Sequence, residues 1–384
     1  MIITNDIKYV GVNDKDVDLF EGQYVVPNGM AYNSYVVFDD KITVFDSVDA
    51  HFGKEWLANV QSVLDGKTSD YFVVQHMEPD HSANIVEFMT AYPSATIISS
   101  QKAFAMMQNY FGTSFEERRI VVGDGSTLPT GRHEFQFVTA PMVHWPEVIM
   151  TYDKTDKVFF SADAFGKFGA LDVEDEDWAC EARRYYFGIV GKYGVQVQNL
   201  FKKIVGLDVQ IICPLHGPVL TDNLGYYLNL YNVWSTYGVE SEGVFIAYAS
   251  VYGHTEKAAK LLAEQLEAKG VNVTISDLAR SDWAENVEDA FRYGKLVLAA
   301  PTYNGDVFPV MREFILHLTE RNFQNRTVAL IENGSWAPFA TKVMKGMLEG
   351  CKNLTFAQTE VKILSSMSEE NEAQLKALAD ELAK

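Results

Sequence analysis

The segment His76-Met77-Glu78-Pro79-Asp80-His81 sets four metal-ligating side chains within six residues. It follows the apolar run 71–74, which predicts a strand opening into a loop. Pro79 argues against an ordinary helix there, so the ligands are expected to fan out from a loop. Three further candidates, His144, Asp163 and His216, each follow a strand-like run, at 135–140, 157–161 and 209–213. A lone histidine at a strand end is usually solvent-facing, and Asp163 alone would be a turn residue. Four of the chain's eight histidines share this arrangement, however, and that points to a metal centre. His51, His133, His254 and His317 have no such company. Seven ligands exceed one tetrahedral zinc and suit two metals with a bridging carboxylate. Two divalent ions facing Glu78, Asp80 and Asp163 would leave the site near neutral. Imidazole and carboxylate with open positions favour iron or manganese acting on a small molecule.

A second constellation lies in three loops. Ser250-Val251-Tyr252-Gly253-His254-Thr255 joins a strand-like run to a helix pattern. Its hydroxyls, its glycine and the helix N-terminus would cradle a phosphate dianion. Neither a GxGxxG nor a GxxxxGK[ST] pattern is present there, which argues against dinucleotides and nucleoside triphosphates. Pro301-Thr302-Tyr303-Asn304-Gly305 and Asn333-Gly334-Ser335-Trp336-Ala337 follow two later strand-like runs. All three loops are expected at the carboxyl ends of parallel strands, where an open α/β sheet binds its ligand. The small residues admit a flat ring close to the backbone, with Tyr303 and Trp336 beside it.

The elements that must position these groups fall into two parts. Residues 1–240 carry many short strand-like runs with helical stretches at 53–64, 84–92, 101–110 and 181–205, which suggests two packed sheets flanked by helices. Residues 241–384 alternate strand and helix: strands at 244–249, 271–275, 295–300 and 327–332, helices at 255–269, 313–319 and 369–384. That alternation predicts a parallel, doubly wound sheet. The polar, turn-rich stretch 235–243 marks the boundary.

With 384 residues, 47% of them apolar and 22% charged, the chain suits two soluble globular domains. No run reaches the length of a membrane span, and the N-terminus does not read as a signal peptide. Cys180, Cys213 and Cys351 are far apart, as expected for reduced thiols in a cytoplasmic protein and not for cysteine-ligated metal. The net charge of −20, of which −15 lies in residues 1–240 (17 basic, 32 acidic), argues against nucleic acid and anionic membranes.

The His-x-Glu-x-Asp-His segment, followed by His144, Asp163 and His216, resembles the metallo-β-lactamase-like domain of the flavodiiron proteins. Zinc-binding relatives of that fold usually carry His where Glu78 stands. The three loops of residues 241–384 resemble those of flavodoxin. The resemblance covers essentially the whole chain. It implies an α/β protein: an αβ/βα metallo-β-lactamase-like sandwich at 1–240 and a flavodoxin-like doubly wound parallel sheet at 241–384. It also implies FMN and two non-haem irons as cofactors, with His76, Glu78 and His144 on one iron and Asp80, His81 and His216 on the other. Asp163 would bridge them together with an oxo or hydroxo group, and His81 would be the least firmly bound. Tyr193 resembles a tyrosine that hydrogen-bonds a metal-bound ligand in relatives.

Two ferrous ions and a fully reduced FMN hold four electrons, which match reduction of O2 to two waters. Two electrons match coupling of two NO to N2O. The family does one or both, with electrons from a rubredoxin-like carrier or a flavin reductase. It works as a head-to-tail homodimer or a dimer of dimers, so that one subunit's FMN faces the other's irons. Two other classes compete: a zinc-dependent hydrolase with a fused flavodoxin domain, told apart by iron content, and an electron carrier on an inert scaffold, in which Asp163 would be dispensable.

Overall fold

The computed structural model describes residues 1–173 and 177–384. The chain divides into two compact units, 1–186 with 193–232, and 187–192 with 233–384. The turn-rich boundary stretch therefore belongs to the second unit from Val233 onward. The short segment 187–192 joins it there: Arg321 donates through Nε to the Phe187 carbonyl at 2.9 Å, and the Tyr237 hydroxyl donates to the Gly191 carbonyl at 2.8 Å.

The first unit is built on two sheets. One runs Ile7–Tyr9, Tyr35–Val37, Thr43–Phe45, Tyr71–Val73, Thr96–Ser99 and Arg119–Val121; the other runs Thr127–Pro129, Glu134–Thr139, Ile149–Asp153, Val158–Phe160 and Ile211–Cys213. Successive side chains of a strand point to opposite faces, and the inner set fuses the sheets into one core. Tyr35, Val37, Phe45, Val73 and Ile98 pack against Phe135, Phe137, Ile149, Val158 and Phe160. The Phe45 and Phe160 rings stack at 4.2 Å. On the outer face of the first sheet, Phe72 meets Phe88 of the helix Ile85–Ala91 at 4.2 Å and Trp56 of the helix Gly53–Leu64 at 6.2 Å. This is the expected αβ/βα sandwich.

Two local expectations fail. Pro79 does not prevent a helix: Pro79–Ser82 is one helical turn with the proline at its first position. There its missing N–H costs nothing and its fixed φ suits the turn. The stretch 181–205 is not one helix. Trp178–Tyr185 is followed by a widened turn Tyr186–Val190, a tight turn Gly191–Tyr193 and a second helix Gly194–Ile204. Three glycines at 188, 191 and 194 lower the helical preference at the break.

The second unit is a single sheet in the order Val273–Asp277, Ser241–Tyr248, Tyr293–Tyr303, Thr327–Asn333, with Thr355–Phe356 and Val361–Ile363 along its far edge. The pairings between these strands are all parallel. Numbered along the chain the order is 2-1-3-4-5, so strand order reverses between Ser241–Tyr248 and Tyr293–Tyr303. Both faces are covered, which explains the continuous apolar strands. Ile246, Val297 and Ile331 pack under Leu262, Leu266, Leu375 and Leu378 of the helices His254–Glu267 and Glu369–Leu382. On the opposite face Phe245 meets Phe314 of the helix Pro309–Glu320. The helices Leu224–Ser235, Trp283–Arg292 and Ala340–Leu348 were not legible from residue pattern alone. No helix among the described residues is long and apolar enough to cross a membrane.

Candidate metal centre and flavin loops

Three of the seven candidate ligands stand three residues beyond the end of a strand: His76 after Tyr71–Val73, Asp163 after Val158–Phe160, and His216 after Ile211–Cys213. Each chain leaves its sheet there and turns its side chain into the same space. Glu78 caps the turn Pro79–Ser82, which carries Asp80 and His81. His144 comes from the loop after Glu134–Thr139.

The structure brings all seven together, in two groups. In the first, His144 Nε2 lies 3.0 Å from both Glu78 Oε2 and Asp163 Oδ2, and His76 Nε2 lies 3.3 and 3.4 Å from the same two atoms. In the second, His81 Nε2 is 2.9 Å from His216 Nε2 and 3.3 Å from Asp80 Oδ2. His216 Nε2 is 3.4 Å from that Asp80 oxygen. Asp163 Oδ1 faces this second group, 3.3 Å from His81 and 4.0 Å from His216. Donors bound to one ion at about 2.0–2.2 Å stand roughly 3.0–3.5 Å apart, so each group has the spacing of a coordination shell. Both Asp80 oxygens and Asp163 Oδ1 are buried without a hydrogen-bond donor. Such carboxylate oxygens are costly unless a cation partners them, and the residues fit two ions sharing Asp163.

Several flanking groups carried no sequence signal. The buried Glu147 carboxylate lies 2.8 Å from His76 Nδ1 and accepts from the Met77 N–H at 2.9 Å. The Asp46 carboxylate accepts from the Gln75 N–H at 2.7 Å and from Gln75 Nε2 at 3.1 Å, fixing the strand end before His76. His216 Nδ1 lies 2.8 Å from the Ala31 carbonyl. Tyr32 and Phe20, from N-terminal strands too short for a pattern, pack edge-on against His216. They also line a cleft of about 590 Å³ together with Glu78 and Asp80.

Tyr193 lies half-buried on the tight turn Gly191–Tyr193 and, among the described residues, makes no hydrogen bond or ring contact with the ligands. The tyrosine that stands beside the ligand cluster is Tyr185. The Tyr185 ring is 5.5 Å from the His216 ring, and its hydroxyl is buried without a partner. The break in the helix immediately after Tyr185 sends Tyr193 elsewhere. Burial, with the charges of Asp163, Glu78 and Asp80, pushes the Tyr185 hydroxyl well above its ordinary pKa and keeps it protonated.

In the metal-free protein, burial alone would lower the histidine pKa values. The carboxylates outweigh it: Asp163, Glu147 and Glu78 hold His76 well above its ordinary value, and Asp163 and Glu78 raise His144 to about 9. Burial would conversely raise Glu78, but hydrogen bonds from His144 and His76 hold it low. A raised histidine contributes stability that is complete below its unfolded value of 6.5 and is lost as pH rises through its folded value. The melting temperature of chelated protein is therefore expected to fall between pH 6.5 and about 9. Metal uptake near neutrality should release protons. Calorimetry across that range checks the first expectation, and a midpoint that climbs with pH contradicts it.

In the second unit, the three candidate loops all lie at carboxyl ends of the parallel strands. Gly253, at φ +86°, turns the chain into the helix His254–Glu267, and its N–H donates to Ser250 Oγ at 3.1 Å. Thr255 is buried in the first helical turn, while Val251 and Tyr252 are exposed. Thr302 Oγ1 accepts from the N–H groups of Phe339 and Ala340, tying the Pro301–Gly305 loop to the start of the helix Ala340–Leu348 that follows the Asn333–Ala337 loop. A Cβ on Gly334 would meet the Pro338 backbone at 2.9 Å, so this loop folds closely on itself. Tyr303 and Trp336 are 46% and 92% exposed at this edge, with the Tyr303 ring edge-on to Phe308 at 5.4 Å. A fourth loop, missed from sequence, joins them: Asn333 exchanges hydrogen bonds with the Ser365 backbone, and Ser366 Oγ lies 3.4 Å from His254 Nδ1.

An αβ/βα sandwich holding two ligand groups around one shared carboxylate, joined to a doubly wound sheet with flavin-type loops, defines a two-domain metalloflavoprotein. Residues 30–217 match the model of the ODP family beta lactamase, and residues 245–349 match a flavodoxin domain. The chain is 27% identical over 359 residues to the nitric oxide reductase of Moorella thermoacetica, covering 91% of this chain and 90% of that protein. The rubredoxin oxygen:oxidoreductase of Desulfovibrio gigas superposes with a TM-score of 0.92 at 27% identity, covering 100% and 97% of the two chains. The flavodiiron protein of Giardia intestinalis shares the fold with a TM-score of 0.91 at 23% identity, covering 99% and 95%. The chain belongs to the flavodiiron protein family.

Proposed function

We propose that this oxidoreductase reduces O2 to water, NO to N2O, or both, at a diiron centre in its first unit supplied by FMN in its second. The observation that carries the reading is the division of Asp163, with Oδ2 toward His76 and His144 and Oδ1 toward His81 and His216. His76, Glu78 and His144 would hold one iron, and Asp80, His81 and His216 the other. The Ser250–Thr255 loop would take the FMN phosphate, and the Pro301–Gly305 and Asn333–Ala337 loops the ring, with Tyr303 and Trp336 beside it. When bound, the irons supply Lewis acidity and electrons to a diatomic, and FMN relays electrons from the donor.

The protein's part is positioning and protonation. The buried ligand carboxylates hold both metal positions, and the Tyr185 hydroxyl keeps a proton beside them for a reaction that consumes protons. The electron donor is proposed to be a rubredoxin-like carrier or a flavin reductase, and the working form a head-to-tail homodimer or dimer of dimers in the cytoplasm. A strictly monomeric protein with full activity would refute the assembly. Zinc hydrolysis is not favoured, because three carboxylates at the ligand positions suit a harder ion than a histidine-rich set does.

Anaerobic purification, iron and FMN analysis, and separate O2 and NO consumption with a reduced donor test the proposal. Consumption of neither gas by iron- and FMN-loaded protein would overturn it. Tyr185→Phe is expected to leave thermal stability unchanged or slightly higher, because it removes a buried hydroxyl that has no partner. Turnover should drop about tenfold or more, as for loss of a positioned proton donor. Full turnover in that variant would remove Tyr185 from the mechanism.

A further inference from the structure

The two metal positions have matching inner ligands. Each takes two histidines, one carboxylate of its own, and one oxygen of Asp163. Any difference between them that the protein imposes must come from what stands behind the ligands, and there they are unlike. His76 leans on a buried carboxylate: Glu147 Oε1 is 2.8 Å from Nδ1, and the same oxygen is fixed by the Met77 N–H at 2.9 Å. His216 leans on a neutral carbonyl, that of Ala31, at 2.8 Å. His81 Nδ1 is buried and has no hydrogen-bond partner.

We infer that the two positions bind metal unequally, with Glu147 making the His76–Glu78–His144 position the retentive one and the unbacked His81 making the Asp80–His81–His216 position the labile one. The inference rests on the diiron reading above and concerns only how this chain's residues grade the two positions.

A histidine that binds metal through Nε2 must carry its proton on Nδ1. A carboxylate accepting that proton fixes the tautomer, orients the ring and raises the basicity of Nε2. Glu147 does this for His76, and the acceptor geometry of its Oε1 is set by a backbone N–H that cannot move without displacing Met77. A neutral carbonyl does the same for His216 through a hydrogen bond roughly half as strong. For His81 the same tautomer strands a buried N–H with no acceptor, so metal binding there carries a desolvation penalty the other position escapes. The gradient acts in one direction, toward earlier loss of metal from the His81 side.

The experiment uses the full chain with FMN bound and ferrous iron loaded anaerobically. Crystals equilibrated with increasing chelator are measured at the iron absorption edge, and the anomalous signal gives occupancy at each position separately, without recourse to activity. Wild-type protein is expected to lose iron first beside His81 and His216, with the position beside Glu78 outlasting it by about tenfold or more in chelator. In Glu147→Gln, which keeps the shape and removes the charge, the retentive position should weaken by roughly 10–100-fold, and the order should level or invert. Simultaneous loss from both wild-type positions, or earlier loss beside Glu78, overturns the inference while leaving a diiron centre intact. An unchanged order in a Glu147→Gln protein with normal FMN content overturns the role of Glu147. Failure of both positions to take up iron removes the diiron reading and this inference with it.

Discussion

Asp163→Ala is expected to abolish O2 and NO reduction, on the order of 10³-fold or more, and to lower iron content at both positions together. Loss of a group one shell outside a metal costs roughly 10–100-fold, and Asp163 would be inside both shells. Among the described residues it is the one side chain whose two oxygens face different ligand groups, at 3.0 and 3.4 Å on one side and 3.3 and 4.0 Å on the other. Its removal leaves four histidines around Glu78 and Asp80, with less anionic charge to hold two cations. The substitution also distinguishes the competing classes. An electron carrier built on an inert scaffold would pass electrons and show no dependence on Asp163. Iron analysis beside gas consumption is the check, and a variant with full iron and full turnover would rule out a bridging role.

Ser250→Asp is expected to strip FMN from the second unit and, with it, sustained turnover. Ser250 Oγ accepts the Gly253 N–H at the point where the chain enters the helix His254–Glu267. An aspartate oxygen can accept the same hydrogen bond, so the turn survives while a negative charge enters a cradle proposed to hold a phosphate dianion. Like charges about 4 Å apart repel by about 1–4 kcal/mol between bulk-water and surface-like dielectrics. That corresponds to a loss of flavin affinity of roughly 5- to 1000-fold. Ser250→Asn, uncharged and of similar size, should retain most of the flavin. Fluorescence titration with FMN measures both. In the aspartate variant, turnover from the external donor should fall in step with flavin content, whereas a chemically reduced metal centre should still consume one charge of gas. Undiminished donor-driven turnover without flavin would dismiss FMN as the relay.

The residue types and their order determined much of this. His-x-Glu-x-Asp-His after an apolar run, and lone candidates after three later runs, marked all seven side chains that the structure gathers into two groups, because strand ends are where donor atoms can converge. The loops of the second part were equally legible, since a βα alternation with continuous apolar strands has few folded solutions. The parallel pairing of the strands places those loops at one edge of the sheet.

Only the tertiary structure decided what stands behind and beside the ligands. Glu147, 71 residues from His76 in the chain, is one acidic residue among 52 until the sandwich closes and buries it against Nδ1. Tyr185 and Tyr193 lie on one stretch that sequence reads as a single helix. The break after Tyr185 turns one toward His216 and the other away. Pro79 reads as a helix breaker, and becomes the first residue of the turn that carries Asp80 and His81. Short-range pattern names the donors because their chemistry is local. Which oxygen of Asp163 faces which histidine, and which histidine has a carboxylate behind it, depends on contacts between strands distant in sequence, and those are set only when the two sheets pack.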